Sequence, residues 1–209
     1  MSLSMGTGVL VEGPVTALGV LRQRTRAQHE KIEGSIDLQG ALRSREGYRR
    51  LLEGYLGLYR PYEALLAGQT EAVREIVAWP LHARVPLLER DLSLLGASVG
   101  EIAAVPESEG LPDLRCEDAM LGALYVVEGS QLGGQYIYRQ IEEKLGLDED
   151  SGAAFFFGSG SKTGGEWKRF TALLDASVKD AEVAAEAACG MFEAFGSWLG
   201  RPTDAKELV

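Results

Sequence analysis

Apolar residues recur at every third or fourth position over most of this chain, and no segment sustains the period-two alternation of a half-buried strand. The pattern predicts an all-α fold. A first helix is expected from about Val15 to Glu33, stopping near Gly34. A second covers about Ser44 to Ala67, with Ser44 and Gly47 at its start, Pro61 as a kink and Gly68 as its stop. A third runs from about Leu81 to Leu95 before Gly96, and the glycines and prolines between Gly100 and Pro112 read as a connection. The fourth helix spans about Cys116 to Leu145. After Gly146 an irregular stretch, Asp148 to Gly165, carries three consecutive phenylalanines, and a last helical region from about Glu166 to Leu199 can break in two. There is no internal repeat. The expected organisation is a loose N-terminus over residues 1–14, one domain over 15–200 and a tail over 201–209.

Composition narrows the class of function. With 45% hydrophobic and 25% charged residues in a chain of 209, the pattern suits a single globular domain large enough to enclose a ligand. A formal charge of −10 argues against nucleic-acid binding, which calls for an extended basic surface. One basic cluster does occur, at Arg22, Arg24, Arg26 and Lys31, and by itself it could be a solvated helix face. Two cysteines, Cys116 and Cys189, are too few and too far apart for a disulfide framework or a zinc site, and read as core thiols in a reducing cytoplasm. No apolar stretch approaches the roughly 18 residues of a membrane span, and no signal-peptide pattern opens the chain. No membrane partner is expected.

Two segments carry candidate chemistry. On the first helix Leu18, Leu21, Thr25, His29 and Ile32 share a sector of about 80°, which turns His29 inward as a buried or half-buried residue. Such a histidine can be a satisfied core residue or a metal ligand. Glu33, four residues on, is within reach of the free ring nitrogen, as an iron-ligating histidine requires, and Arg22 lies two turns earlier, about 10 Å along the axis. That offset matches the separation between a heme iron and its propionates.

The second segment, 122–137, places Gly122, Gly129, Gly133 and Gly134 inside a helix, at a cost of about 1 kcal/mol each relative to alanine. Gly122, Gly129 and Gly133 fall within about 40° of one another and form a smooth strip. Close helix–helix packing would explain it. A flat ligand against the strip would also, and the adjacent Gly133–Gly134 pair suggests a kink where backbone meets that ligand. Ser130 could order a water beside it.

Leu21–Glu33 (LRQRTRAQHEKIE), Leu81–Gly96 and above all Tyr125–Gln135 (YVVEGSQLGGQ) resemble heme oxygenases, nearest to the bacterial biliverdin-producing kind associated with phytochromes. The similarity runs from about Ala17 to Trp198, and its specificity lies in the pairing of the helix-one histidine with the glycine motif. The resemblance implies a multihelical bundle that holds heme between a proximal helix bearing His29, the axial ligand of the iron, and a kinked distal helix with Gly129, Ser130, Gly133 and Gly134 at the catalytic face. It implies Arg22 and Lys168 as propionate contacts, with Glu33 and Tyr125 also around the heme. Animal members carry aspartate at the position of Ser130 and an arginine at that of Ala172. The reaction implied consumes heme as both cofactor and substrate, with O2 and an external electron donor such as a ferredoxin or reductase. It yields biliverdin, carbon monoxide and ferrous iron, and a phytochrome is a candidate receiver of the bilin. Two rivals stand beside it: a heme-binding storage or delivery protein without turnover, and a helical scaffold whose Tyr48, Tyr55, Tyr59 and Tyr62 are plain core. A di-iron carboxylate bundle is disfavoured, since His29 and His82 are the only histidines.

Overall fold

The structure is a computed structural model that describes residues 16–68 and 83–201. His82 and the expected start of the third helix lie outside the described residues. Among those described, every regular element is helical: α1 (Ala17–Ser35), α2 (Leu38–Ala41), α3 (Arg45–Ala67), α4 (Val85–Leu94), α5 (Val99–Ala103), α6 (Glu117–Leu145), α7 (Ala154–Phe157), α8 (Thr163–Ser177) and α9 (Ala181–Leu199).

Local chemistry sets the boundaries. Thr16 caps α1 by accepting the Gly19 N–H, Ser44 caps α3 through the Gly47 N–H, and Asp180 caps α9 through the Glu182 and Val183 N–H groups. Gly146, at φ 63°, ends α6 in the left-handed conformation that glycine takes without strain. Pro61 lies inside α3 without ending it. Three short elements were not expected. Asp37 caps α2, a capping box between Ser98 and Glu101 builds α5 inside the stretch read as a connection, and α7 carries the phenylalanines. The last helical region does break, into α8 and α9, around the Lys179–Asp180 segment whose N–H groups are held by the carboxylate of Asp118 on α6.

The long helix α6 packs along α9, and α9 in turn packs along α1, so that α1 and α6 flank it. Helix α3 adds to the layer through α4 and α9, and α8 closes one side against α6 and α1. The core between them holds Leu52, Leu56, Met120, Leu124, Phe170 and Met191, all essentially excluded from solvent. Behind α6, Asp91 of α4 is fully buried and accepts hydrogen bonds from Ala154 N at 3.1 Å and Phe155 N at 2.8 Å. It thereby caps the first turn of α7 and seats Phe155 and Phe156 against Tyr55 and Tyr59. Cys116, expected in the core, is instead the exposed N-cap of α6, and it lines an open groove with the half-buried Cys189 of α9.

Candidate functional site

A cavity of about 470 Å³ opens where α1 and α6 face each other across the edge of α9, a size in the range of small-molecule sites. One wall is α1, contributing Arg22, His29 and Ile32. The opposite wall is α6, contributing Tyr125, Gly129, Ser130, Gly133 and Ile137. Apolar groups fill the ends: Phe192 and Phe195 from α9, Leu51 and Tyr55 from α3, and Trp167 from α8.

The α1 face behaves as its periodicity predicts at Leu21 and Thr25, which are buried. His29, expected to be buried or half-buried, is exposed. It belongs to the same face, but beyond Thr25 that face looks into the open cavity and not into packed side chains. Its ring meets Phe192 edge-on, with centroids 5.8 Å apart. Arg22, on the same wall, is exposed and makes no ion pair among the described residues, whereas its neighbours Arg24 and Arg26 are engaged by Glu182 at 2.7 Å and Glu30 at 3.0 Å. Of the basic cluster, Arg22 is thus the member aimed at the cavity. The side chain of Glu33 lies outside the described residues.

On the opposite wall the glycines part company. Helix α6 is continuous from Glu117 to Leu145, and none of them interrupts it. A methyl group on Gly122 would collide with the backbone carbonyl of Ala184, so this glycine permits the close crossing of α6 and α9. At Gly133 a Cβ would meet nothing within 4 Å, and at Gly129 it would lie 3.5 Å from the Trp167 indole. These two form the bare flank of the cavity. Gly134 is buried, does not line the cavity and faces Phe156 O at 3.5 Å, so it belongs to the packing of α7. Ser130 Oγ lines the cavity and donates to Val127 O at 2.7 Å. Tyr125 lines it beside Trp167, with centroids 5.7 Å apart. Lys168 is exposed on α8 and does not line it.

Periodicity did not reveal the polar cluster behind this wall. Arg84 and Glu128 are both nearly buried, with Arg84 Nη2 3.8 Å from Glu128 Oε1. The hydroxyls of Tyr59 and Tyr62 and the Nε of Arg84 are buried beside them without hydrogen-bond partners. Burial pushes the Tyr59 phenol up to about 12, against the opposing pull of Arg84, and lifts Tyr55 and Tyr62 well above the ordinary phenol range. All three stay neutral at physiological pH and can only donate or accept hydrogen bonds. The sequence signal was available in Glu128, a charge between Val127 and Gly129 in the middle of an apolar helix. Its partner Arg84 sits at the start of the predicted third helix, where periodicity does not show that it pairs with α6. The next turns of the same face hold Gln135, whose Nε2 donates to Phe157 O at 2.8 Å.

Among the described residues there is no cluster of three or more histidine, cysteine or carboxylate side chains able to hold a bare metal ion. A single histidine opposite a glycine flank fits a metal that brings a flat equatorial ligand set of its own, because such a metal asks the protein for one axial donor. The heme oxygenase family model matches residues 16–200. The chain belongs to the heme oxygenase family. It is 35% identical over 155 residues to a heme oxygenase of Xanthomonas campestris, covering 69% of this chain and 88% of that protein. It is also 28% identical over 180 residues to the heme oxygenase PigA of Pseudomonas aeruginosa, covering 85% and 88%. In fold it superposes on the heme oxygenase of Leptospira interrogans with a TM-score of 0.68 at 19% identity, over 88% of this chain and 98% of the other. Both of its expected signatures thus lie on the two walls of one cavity. Among the described residues, no helix of this heme oxygenase family member is long and apolar enough to cross a membrane.

Proposed function

We propose that this heme oxygenase seats heme in the cavity between α1 and α6, with His29 as the axial ligand and the Gly129–Gly133 flank against the opposite face. The carrying observation is the open space at Gly133 in the same cavity that His29 lines, the cavity's only histidine among the described residues. Heme, when bound, supplies the iron that activates O2 and the macrocycle that is cleaved to biliverdin, carbon monoxide and ferrous iron.

The protein's part is binding, orientation and proton handling. A neutral imidazole at His29 donates one lone pair, and its ring plane is steadied by the edge of Phe192. Arg22 offers a guanidinium free of other carboxylates to an anionic group at the cavity mouth. Lys168, exposed on α8, can reach a second such group only from outside the lining. On the far wall no histidine or carboxylate lines the cavity among the described residues. Ser130 Oγ is the hydroxyl there, and it can accept from a water that hydrogen-bonds the oxygen substrate. Phe195, Leu51 and Ile137 keep bulk water from the same space. Electrons come from an external donor such as a ferredoxin or reductase, and a phytochrome is a receiver that the product chemistry would suit.

The test is direct. Hemin added to the apo protein should give a Soret band of a histidine-ligated heme, and a reductant in air should replace it with a bilin spectrum. A stable Soret band under reductant and O2 would instead identify a heme carrier, and no Soret shift at all would leave a helical scaffold.

A further inference from the structure

Trp167 has no role in the reading above beyond filling one end of the cavity, yet its placement is unusually determined. It lies one turn into α8, which follows a turn in which Gly158 and Gly160 both adopt positive φ, 53° and 54°. That turn delivers the half-buried indole between two rings. Phe170, one turn on and fully excluded from solvent, lies 5.8 Å away at an interplanar angle of 33°, and Tyr125 of α6 lies 5.7 Å away at 46°. The far edge of the indole, Cζ3 and Cη2, then rests 3.5 Å from the position a Cβ would take on Gly129. One turn further along α6, about 6 Å, the flank of Gly133 is open. The bare strip therefore has an aromatic stop at one end and free space at the other. Helix α8 is also tied to α1, through the hydrogen bond from Leu18 N to Asp175 Oδ1 at 2.8 Å, one turn before Arg22. The indole stop and the cation are thus held in one frame.

We propose that the Trp167 indole is a specificity-determining residue, an edge stop that sets the in-plane seating of the macrocycle and so decides which meso carbon lies under the open stretch of α6. The inference rests on the heme reading given above. A nearly four-fold symmetric ring held by one axial donor can rotate about the bond to that donor, so its orientation must be chosen at its periphery. Arg22 selects where the anionic edge goes. The indole limits how far the opposite faces can turn or slide toward Gly129. Its large planar edge suits this better than a flexible aliphatic chain, since stacking against Tyr125 and Phe170 removes its rotamer freedom. The indole's role here is to position the ring and not to react.

The test compares the parent with Trp167→Phe, which keeps an aromatic ring for Tyr125 but lacks the Cζ3–Cη2 edge, and with Trp167→Ala. Two readouts are taken: the heme-methyl proton resonances of the low-spin ferric cyanide complex, which report in-plane orientation without turnover, and the ratio of biliverdin isomers after reduction in air. Both variants should retain the histidine-ligated Soret band while the orientation and isomer ratios shift by about fivefold or more, equivalent to about 1 kcal/mol at 1.4 kcal/mol per tenfold. Unchanged resonances and isomer ratios in Trp167→Phe would overturn the inference and leave the heme reading intact. If Trp167→Ala does not melt cooperatively as apo protein, Trp167→Phe decides alone. A parent that fails to bind hemin would remove the heme reading and this inference with it.

Discussion

Adding one methyl group at each of three glycines of α6 should have opposite effects on stability, because the same helix meets packed backbone at one of them and a cavity at the other two. At Gly122 the new Cβ falls on the Ala184 carbonyl, with the carbonyl carbon at 2.7 Å and Cα at 3.0 Å. Backbone cannot rotate aside, so the cost is set at about 3 kcal/mol, the upper end for overpacking, offset by about 1 kcal/mol of helix propensity. Gly122→Ala should lose about 2 kcal/mol net. At Gly133 the methyl meets nothing, and Gly133→Ala should gain about 1 kcal/mol. The two variants then differ by about 3 kcal/mol, or roughly 6 to 12 °C in apo melting temperature for a domain of this size. Gly129→Ala should melt near Gly133→Ala, since 3.5 Å from the indole is ordinary contact. Hemin affinity should run the other way. Gly133→Ala places its methyl where the macrocycle would lie and should bind hemin about tenfold more weakly, equivalent to about 1.4 kcal/mol. Apo thermal melts paired with hemin titrations check both halves. A destabilised Gly133→Ala that binds hemin as the parent does would refute the division of the strip.

Other expected outcomes follow from the same geometry. His29→Ala should abolish the histidine-ligated Soret band and bilin formation while the apo melt stays near the parent's, since the exposed ring contributes little core packing; bilin production at the parental rate would exclude it as the axial ligand. Arg22→Glu should weaken hemin binding by about tenfold or more, the loss of a charged hydrogen bond of roughly 1.5 to 3 kcal/mol. Lys168→Glu, outside the lining, should do less, and an equal effect in the two titrations would contradict their placement. Burial lifts the Asp91 carboxyl to about 6, against the pull of its two backbone hydrogen bonds. A raised carboxyl binds more protons folded than unfolded between pH 4 and 6, so its contribution to stability falls as pH rises through that window, by about 3 kcal/mol in all. Asp91→Asn, which cannot titrate, should therefore compare least well with the parent near pH 4.5 and better above pH 6.5. Denaturant melts across that range would refute this if the difference stays flat with pH.

Helix content, most helix ends and the two signature segments were legible from residue order alone, because capping, glycine stops and 3.6-residue periodicity are local. His29 and Gly133 could be assigned to inward faces in this way, since azimuth on one helix follows from counting residues. What lies opposite a face does not. Gly122 and Gly133 share a sector of α6, yet Ala184 of α9 lies against one and open cavity against the other. Gly134, adjacent in sequence to the cavity glycine, turns to α7 instead. Likewise the face that buries Leu21 and Thr25 leaves His29 exposed, because α9 and α8 pack against only part of α1. The Arg84–Glu128 cluster joins residues 44 positions apart in sequence, and the indole of Trp167 reaches Gly129 only through the glycine turn that leads into α8. These pairings are set by how the helices are stacked, and they decide which of several chemically similar residues meets a ligand and which merely meets its neighbour.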